Sequence, residues 1–264
     1  MDPRYAFSVM IIRVAVVGAG GRMGRSICAS VAQDPELDLV AAIDPNAVGS
    51  EINGVVVDAD INAIVAARSD VVIDFTVAPA ARVTVLWLAE HGVHAVVGTT
   101  GLSDSDLESF RSAFTSSNCL VASNFSISAV LMMRFAEMAA PYFDTAEIIE
   151  LHHDRKADAP SGTAVTTAKR MAAASADWAP DPTTNVVFPG ARGGIGPGGI
   201  HIHAVRMRGL QAHQEVILGA AGQTLTIRQD SFDNSSYLPG ILLACKRIAE
   251  VSGLTIGLDR FLDF

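Results

Sequence analysis

Short β-branched runs alternate with segments of helical periodicity over the first half of the chain. The apolar runs lie at residues 11–17, 37–43, 71–75, 94–98 and 120–122. Their length and composition are typical of buried strands. Apolar side chains recur at helical spacing over residues 78–90 and 103–114, which predicts a helix in each segment. Strands that alternate with helices predict a parallel sheet covered by helices on both faces.

The pattern changes after residue 126. A long Met-rich amphipathic helix is predicted over residues 127–140, and a strand (146–151), a helix (163–174) and a Pro/Gly-rich loop (177–197) follow it. Residues 201–208, 213–220 and 224–230 then alternate between apolar and polar positions about glycine turns, which predicts an antiparallel group of strands. A helix over residues 237–249 and an apolar tail at 253–264 are expected to return to the first domain.

A glycine-rich loop follows the first predicted strand. It reads Gly18-Ala19-Gly20-Gly21-Arg22-Met23-Gly24 and precedes a helical pattern. Strand, glycine loop and helix follow in this order in a dinucleotide-binding turn, where N–H groups at the helix N-terminus bind a pyrophosphate. The usual third glycine position holds Met23, with Gly24 after it, so the fingerprint is a variant.

Asp44 ends the second predicted strand, about twenty residues beyond the loop, where a carboxylate can bind the ribose hydroxyls of the adenosine. No Arg or Lys follows it directly, which favours NADH. Arg22 and Arg25 lie close enough in the loop that NADPH is kept as an alternative cofactor. The predicted cofactor is therefore NADH, NADPH or both.

Three more loops are expected at the carboxyl edge of the parallel sheet, where cofactors bind. They read Asp74-Phe75-Thr76, Gly98-Thr99-Thr100-Gly101 and Ser123-Asn124-Phe125-Ser126. Each alone is typical of an ordinary turn, but together they indicate cofactor contacts. We predict an α/β fold with a Rossmann-like dinucleotide-binding domain (1–126 and 236–264). A C-terminal α+β domain (127–235), with a mixed or antiparallel sheet, is expected to bind substrate and form the oligomer.

The stretch from Glu150 to Ala164, E-L-H-H-D-R-K-A-D-A-P-S-G-T-A, concentrates the chemistry of the chain. Two imidazoles and a lysine follow a predicted strand, and a Gly-Thr pair follows at a helix N-terminus. Such a cluster offers a proton donor, a fixed cation and free backbone N–H groups that can hold a carboxylate. The stretch therefore predicts an anion-binding catalytic site, although a charged surface loop is the alternative.

Composition limits the possible partners. The 264 residues carry a net charge of −9 and a pI near 5.2, which argues against nucleic acid or an anionic membrane as a partner. Residues 1–10 contain no apolar core of signal-peptide length, and no stretch is long and apolar enough for a membrane span. The three cysteines are far apart in the sequence. We expect a cytoplasmic protein with reduced thiols. Residues 1–9 are expected to be a leader, with Met10 as a possible true start.

Three histidines, His201, His203 and His213, lie on the predicted antiparallel strands. Their H-x-H spacing is compatible with metal binding. No carboxylate or cysteine nearby in the sequence completes a ligand set, so structural imidazoles are preferred and no metal site is predicted.

Several of these motifs together resemble the 4-hydroxy-tetrahydrodipicolinate reductase family, also called dihydrodipicolinate reductase, of bacterial diaminopimelate and lysine biosynthesis. The resemblance spans residues 11–264, and its most specific part is the H-H-x-x-K-x-D-A-P-S-G-T run that begins at His152. It implies nicotinamide-dependent reduction of a cyclic, unsaturated dicarboxylate. It also implies a homotetramer built through the sheet of the second domain.

The resemblance implies roles for individual residues. His152 is expected to donate or accept the proton, with Lys156 as the second catalytic residue. His153, Gly162 and Thr163 are expected to contact a substrate carboxylate. Cofactor contacts are expected from Gly18, Ala19, Gly20, Gly21, Arg22, Met23, Asp44, Gly98, Thr99, Thr100, Ala122, Ser123, Asn124 and Phe125. Ser123 departs from the Ala of the family pattern, but a backbone contact would survive that change.

Two other functions share parts of this pattern. An NAD-dependent amino-acid dehydrogenase of similar two-domain plan could use His and Lys in similar ways. A redox-sensing regulator that binds NADH would share the first domain, but it would need a basic DNA-reading helix that the sequence lacks.

Overall fold

The computed structural model describes residues 11–263, which divide into two compact units. One unit combines the chain up to Phe125 with the segment from Tyr237 onward, and the other is Ser126–Ser236. The expectation of a leader at residues 1–9 and a start at Met10 lies outside the described residues.

Strands and helices alternate through the first unit and are grouped differently in the second. In chain order, the strands are β1 (Ile12–Val17), β2 (Leu37–Ile43), β3 (Glu51–Ile52), β4 (Val55–Asp58), β5 (Val71–Asp74), β6 (His94–Val97), β7 (Cys119–Val121), β8 (Thr145–His152), β9 (Gly194–Ile195), β10 (His201–Arg206), β11 (Ala212–Ala220), β12 (Gln223–Ser231) and β13 (Leu254–Ile256). The helices are α1 (Arg22–Gln33), α2 (Ala63–Ala66), α3 (Ala78–Glu90), α4 (Asp104–Ala113), α5 (Ile127–Ala139), α6 (Gly162–Ala174) and α7 (Leu238–Arg247).

The first unit is built on an eight-stranded sheet with the order β13-β7-β6-β5-β1-β2-β4-β3. Every pairing is parallel except the one between β3 and β4. Val14, Val16, Val72 and Ala95 on its central strands have no exposed surface. Parallel strands covered on both faces need such continuous apolar runs, and this confirms the predicted Rossmann-like domain.

The end of the chain completes this sheet. Strand β13 pairs in parallel with β7, so Leu254, Thr255 and Ile256 lie opposite Cys119, Leu120 and Val121. The apolar tail therefore supplies an edge strand to the sheet of the first unit. The three cysteines of the chain are free and buried in this unit.

The second unit has a mixed five-stranded sheet with the order β12-β11-β8-β10-β9. The prediction of one antiparallel group over the last three long strands is wrong in one respect. Strand β8 lies between β10 and β11, and β10 runs parallel to β8, whereas β11 and β12 form the antiparallel hairpin. The return from β8 to β10 passes through α6, which permits a parallel pairing that a hairpin does not.

Helices α5 and α6 cover one face of this sheet. The Thr167 hydroxyl of α6 accepts a hydrogen bond from the Gln214 side chain at 2.8 Å, and Ser128 of α5 donates to Gln229 at 3.3 Å. Since the even-numbered positions of β8 share this face, Ile148, Glu150 and His152 also point towards the helices. Over residues 11–263, no helix is both long and apolar enough to cross a membrane.

Candidate active site

The glycine loop makes a tight turn between β1 and α1. Gly18 has a φ of +80°, a conformation that favours glycine, and its N–H donates to the Ile43 carbonyl at 2.8 Å. A Cβ on Gly24 would lie 2.0 Å from the Gly18 oxygen, so α1 approaches the loop this closely only because residue 24 is glycine. Gly24 therefore takes the packing role of the third fingerprint glycine, one position after the place where the usual motif has it.

The start of α1 meets the requirements of a pyrophosphate site. Its N-cap, Gly21, supplies no side-chain cap, and the first turn carries no acidic residue. The first N–H groups of a helix have no intrahelical partner and carry partial positive charge. Ala19 has no exposed surface, while Arg22 is exposed and Met23 half-buried.

Asp44 is fixed against this loop. One carboxylate oxygen accepts from the Gly20 N–H at 2.9 Å, and the other accepts from the Asn46 N–H at 2.9 Å. A Cβ on Gly20 would lie 2.9 Å from the nearer Asp44 oxygen. The glycine loop and the acidic end of β2, predicted separately, therefore lie in direct contact.

The loops that follow β1, β5 and β6 pack closely against one another, because Gly18 and Gly98 both lie against Phe75. A Cβ on Gly18 would lie 3.1 Å from the Phe75 oxygen, and one on Gly98 would lie 2.2 Å from the Phe75 ring. The Phe75 and Phe125 ring centroids are 5.6 Å apart. The predicted cofactor loops therefore form one continuous edge of the sheet.

Thr99 is held by a buried carboxylate that the predicted site residues did not include. Its hydroxyl donates to an Asp74 oxygen at 2.8 Å and accepts from the Thr76 N–H at 2.9 Å. Among residues 11–263, the other Asp74 oxygen is buried without a hydrogen-bond partner, and burial raises the pKa of this carboxyl group. Asp74 thus fixes the loop that carries Gly98 and Thr100. The Thr99 hydroxyl is already hydrogen bonded to groups within the domain.

The loop after β7 is buried except around Ser123 and Asn124. The Ala122 N–H donates to the Val97 carbonyl at 3.0 Å, and Phe125 is only 2% exposed. Ser123 is exposed and Asn124 half-buried. A Cβ on Gly240 of α7 would lie 2.1 Å from the Phe125 oxygen, so this loop is packed tightly from behind.

In the second unit, β8 carries Glu150 and His152 on the face covered by the helices. Glu150 has no exposed surface, and its Oε2 lies 2.6 Å from Nδ1 of His152. Arg206 of β10 donates to both Glu150 oxygens at 2.8 Å. The Ser161 N–H donates to Oε1 of Glu150 at 3.0 Å. One carboxylate thus bonds the predicted catalytic imidazole, an arginine and the N-cap residue of α6.

The charge of Glu150 determines the tautomer of His152. Burial alone would raise the pKa of Glu150, but hydrogen bonds from His152 and Arg206 lower it to about 2. An ionised carboxylate can only accept hydrogen bonds, so Nδ1 of His152 carries a proton. Nε2 is then the nitrogen left for a substrate.

Lys156 is bound by an acidic partner of its own, Asp158. Its Nζ donates to both Asp158 oxygens at 2.8 Å, and this contact lowers the pKa of the Asp158 carboxyl group. The Asp158 carbonyl accepts from Arg206 at 2.6 Å. Lys156 and His152 are therefore connected through Asp158, Arg206 and Glu150.

The N-terminus of α6 supplies the remaining predicted groups. The Ser161 hydroxyl caps the helix by accepting from the Ala164 N–H at 3.2 Å. Gly162 is exposed and a Cβ there would meet nothing within 4 Å, while Thr163 is half-buried. Nδ1 of His153 accepts from the Arg155 N–H at 3.2 Å. The start of α6 is therefore accessible to a ligand at Gly162.

The other three sheet histidines have hydrogen-bond partners. His201 lies 2.6 Å from the Arg192 carbonyl, His203 lies 2.7 Å from Glu147, and His213 lies 2.7 Å from Asp230. Within residues 11–263, no group of three or more His, Cys, Asp or Glu side chains is arranged to hold a metal ion.

Glu150, Arg206 and Asp158 are residues of the candidate site to which the sequence analysis gave no role, and Asp74 was predicted only as part of a cofactor loop. Glu150 had a usable signal, because period-two alternation places it on the same face of the strand as Ile148 and His152. Arg206 is 56 residues away, so only the parallel pairing of β8 with β10 brings it to Glu150.

Comparison with known proteins gives family matches over both units. Family models described as dihydrodipicolinate reductase, N-terminus, and dihydrodipicolinate reductase, C-terminus, match residues 12–125 and 128–262. A relative from Corynebacterium urealyticum, named 4-hydroxy-tetrahydrodipicolinate reductase, is 47% identical over 259 residues, covering 96% of this chain and 99% of the relative. A relative of the same name from Beutenbergia cavernae is 46% identical and covers 96% of this chain and 100% of the relative.

Solved structures give the same picture of the fold. A dipicolinate-bound dihydrodipicolinate reductase from Paenisporosarcina sp. TG-14 is 36% identical, with a TM-score of 0.85, covering 96% of this chain and all of that chain. A gentamicin-biosynthesis protein, GenD2 in complex with NAD, is 15% identical with a TM-score of 0.62, covering 99% of this chain and 93% of that chain, which is a likeness of fold alone.

Proposed function

The chain belongs to the dihydrodipicolinate reductase family, and we propose that it reduces 4-hydroxy-tetrahydrodipicolinate with NADH or NADPH, using His152 and Lys156 as catalytic residues. The reaction adds one hydride and one proton and releases one water. The product would be tetrahydrodipicolinate, in the diaminopimelate and lysine pathway. We place the reaction in the cytoplasm.

The observation that carries this proposal is that one buried carboxylate, Glu150, connects the candidate proton donor, the candidate carboxylate-binding helix and the loop with the candidate catalytic lysine. Glu150 bonds the proton-bearing imidazole, the N-cap residue of α6 and, through Arg206, the loop that carries Lys156. A cyclic dicarboxylate needs a proton donor at one ring carbon and cationic or N–H groups at its carboxylates. The second unit offers both sets of groups within one loop and the helix that follows it.

Each of the proposed catalytic and binding residues has a distinct role. His152, as an imidazolium whose Nδ1 proton is held by Glu150, would transfer its Nε2 proton to the substrate and remain as the neutral Nδ1–H tautomer. Lys156 would leave Asp158 to pair with a substrate carboxylate and stabilise charge that develops during reduction. The N–H groups of Gly162 and Thr163 would bind a carboxylate at the positive end of α6, with His153 as a further contact.

The first unit would hold the cofactor. Residues 18–23 and the open N-terminus of α1 suit its pyrophosphate, Asp44 suits the adenosine ribose, and the loops at residues 98–100 and 122–125 suit the nicotinamide half. The nicotinamide supplies the hydride when bound. Asp74, by fixing Thr99 and Thr76, would keep the middle loop in place.

Asp44 is expected to set the preference between the cofactors. Its carboxylate would bond the ribose hydroxyls and repel a 2′-phosphate. In Asp44→Ala, the dissociation constant for NADH should rise about tenfold, while that for NADPH changes little. Fluorescence titration with each cofactor measures both values. Asp44→Asn is the control, because it keeps an acceptor for the Gly20 N–H but removes the charge, and equal losses for both cofactors would mean that Asp44 is only structural.

The second unit is proposed to assemble the protein into a homotetramer. Ile149, Leu151, Val205 and Ile217 lie half-buried on the sheet face opposite α5 and α6. The same face also carries charged groups, including the Glu147–His203 pair, and apolar side chains bordered by paired charges favour association with another copy. Sedimentation should give a tetramer at micromolar concentration, and Ile217→Lys should give smaller species. Val83→Lys, on an exposed position of α3 in the first unit, is the matched control, and a fully active wild-type monomer would contradict the proposal.

A titration with dipicolinate tests the proposed substrate class. The wild-type chain saturated with NADH should bind dipicolinate by calorimetry, and Lys156→Ala should bind it more weakly. Failure of the wild type to bind, together with oxidation of an amino acid in the presence of NAD⁺, would favour the amino-acid dehydrogenase alternative.

A further inference from the structure

Glu150 is the most completely satisfied carboxylate near the proposed catalytic residues. It has no exposed surface, and each of its oxygens accepts two hydrogen bonds. Oε2 is bonded by His152 and Arg206, and Oε1 is bonded by Arg206 and the Ser161 N–H. Burial of a charge costs free energy even when hydrogen-bond partners surround it. A fully buried, charged Glu150 therefore points to a specific role.

We propose that Glu150 is a positioning residue for the reaction. It fixes the tautomer and ring orientation of His152, and it holds the N-terminus of α6 at a set position relative to that ring. This inference rests on the proposed function, since it gives His152 the role of proton donor. Arg206 serves the same purpose from β10 by holding the Glu150 carboxylate in one orientation.

The geometry gives Glu150 two separate effects on the reaction. A carboxylate on Nδ1 stabilises the imidazolium that donates its Nε2 proton, and it keeps the remaining proton on Nδ1 afterwards. Carboxylate partners of metal-bound histidines contribute about 10- to 100-fold to activity, and we expect a similar contribution here. The bond to the Ser161 N–H ties the start of the carboxylate-binding helix to the same side chain. Loss of Glu150 should therefore lower kcat strongly and raise KM for the substrate to a smaller extent.

Glu147 provides a matched control on the same strand. It also bonds one histidine and one arginine, since His203 lies 2.7 Å from its carboxylate and Arg192 forms an ion pair with it. It lies three residues earlier on the opposite face of β8, so its carboxylate points away from the Glu150 network. Glu147→Gln thus removes a similar charge and a similar network without touching His152.

The experiment compares Glu150→Gln, Glu150→Asp, Arg206→Lys and Glu147→Gln with the wild type. Steady-state rates give kcat and KM, calorimetry gives NADH affinity, and thermal melting reports the fold. Nitrogen-15 NMR of the imidazoles reports the tautomer, with His152→Gln assigning the His152 signals among those of the seven histidines. The tautomer measurement needs no turnover, so it tests the role of Glu150 even if the wild type lacks reductase activity.

Glu150→Gln should lower kcat about 10²-fold and place part of the His152 population in the Nε2–H form, with NADH affinity within about twofold of the wild type. Glu150→Asp should restore the Nδ1–H form and recover part of kcat. Arg206→Lys should fall between the wild type and Glu150→Gln, and Glu147→Gln should match the wild type.

Three outcomes would overturn the inference. Glu150→Gln could keep the wild-type kcat, its His152 could keep the wild-type tautomer while activity falls, or Glu147→Gln could lose as much activity as Glu150→Gln. If Glu150→Gln does not fold, Glu150→Asp and Arg206→Lys decide the matter by the same tautomer and kcat measurements. Since Glu150→Asp is expected to keep the Nδ1–H form, wild-type kcat in both variants together with a wild-type tautomer in Arg206→Lys would then reject the role.

Discussion

Replacing His152 with Gln is expected to lower kcat by about 10²-fold or more. Gln fills a similar volume and can hydrogen bond with Glu150, but it cannot transfer a proton at the reaction pH. The proposed cofactor site lies on residues of the first unit, so NADH affinity should stay near that of the wild type. Steady-state rates and a fluorescence titration with NADH provide the two measurements.

The second unit contains a matched control for this change. His203 also bonds a glutamate of β8, at 2.7 Å from Glu147, but it lies outside the proposed site. His203→Gln should therefore keep most of kcat. If His152→Gln retains wild-type turnover, or loses NADH binding in step with activity, the proton donor lies elsewhere and His153 is the first alternative.

Replacing Lys156 with Ala is expected to lower kcat about 10²-fold and to raise KM for the substrate about tenfold. The substitution removes a cation from beside a substrate carboxylate and from beside the charge that develops during reduction. It also leaves the Asp158 carboxylate without its lysine partner, which adds repulsion towards an anionic substrate. Initial rates over a range of substrate concentrations separate the two effects.

A control and a double mutant sharpen this prediction. Lys169→Ala removes an exposed cation from α6 in the same unit, so it measures the general effect of charge and should leave kcat unchanged. Because His152 and Lys156 would serve one transition state, the double mutant should lose much less than the product of the single effects. Full multiplicative loss would show that the two residues act independently.

The architecture of the first unit was largely predictable from apolar periodicity. Strand β2 and helix α3 have the predicted bounds, because a buried parallel strand and a helix of three turns each leave an unambiguous pattern. The short elements β3, β4 and α2 were missed. A two-residue strand such as Glu51–Ile52 is too short to show any periodicity.

The pairing of strands in the second unit was harder to predict. Alternation identified β10, β11 and β12, but it does not reveal a strand's neighbours. Strand β8 is inserted between β10 and β11 although a helix and a long loop separate it from β10 in the sequence. Pairing across so long a connection is determined by packing, because α5 and α6 cover the face that includes Ile148 and Val216.

The candidate site shows the same limit of local information. The cluster around His152 and Lys156 was predictable because its residues are close in sequence. The hydrogen-bond network around His152 was predictable only in part, since Glu150 is nearby in sequence while Arg206 lies on another strand. The packing role of Gly24 did not follow from the motif, because the motif fixes a spacing, whereas the contact with the Gly18 oxygen decides which residue must be glycine.

Nicotinamide absorbance in a coupled assay tests the central claim most directly. A synthase forms the unstable cyclic substrate from aspartate semialdehyde and pyruvate in the cuvette, and the wild-type chain is then added with NADH or NADPH. Oxidation of the cofactor that requires both the synthase product and this chain, and that dipicolinate suppresses, is the predicted result. No oxidation of either cofactor above the rate without the chain, under conditions where NADH binding is measured, would contradict the proposed function.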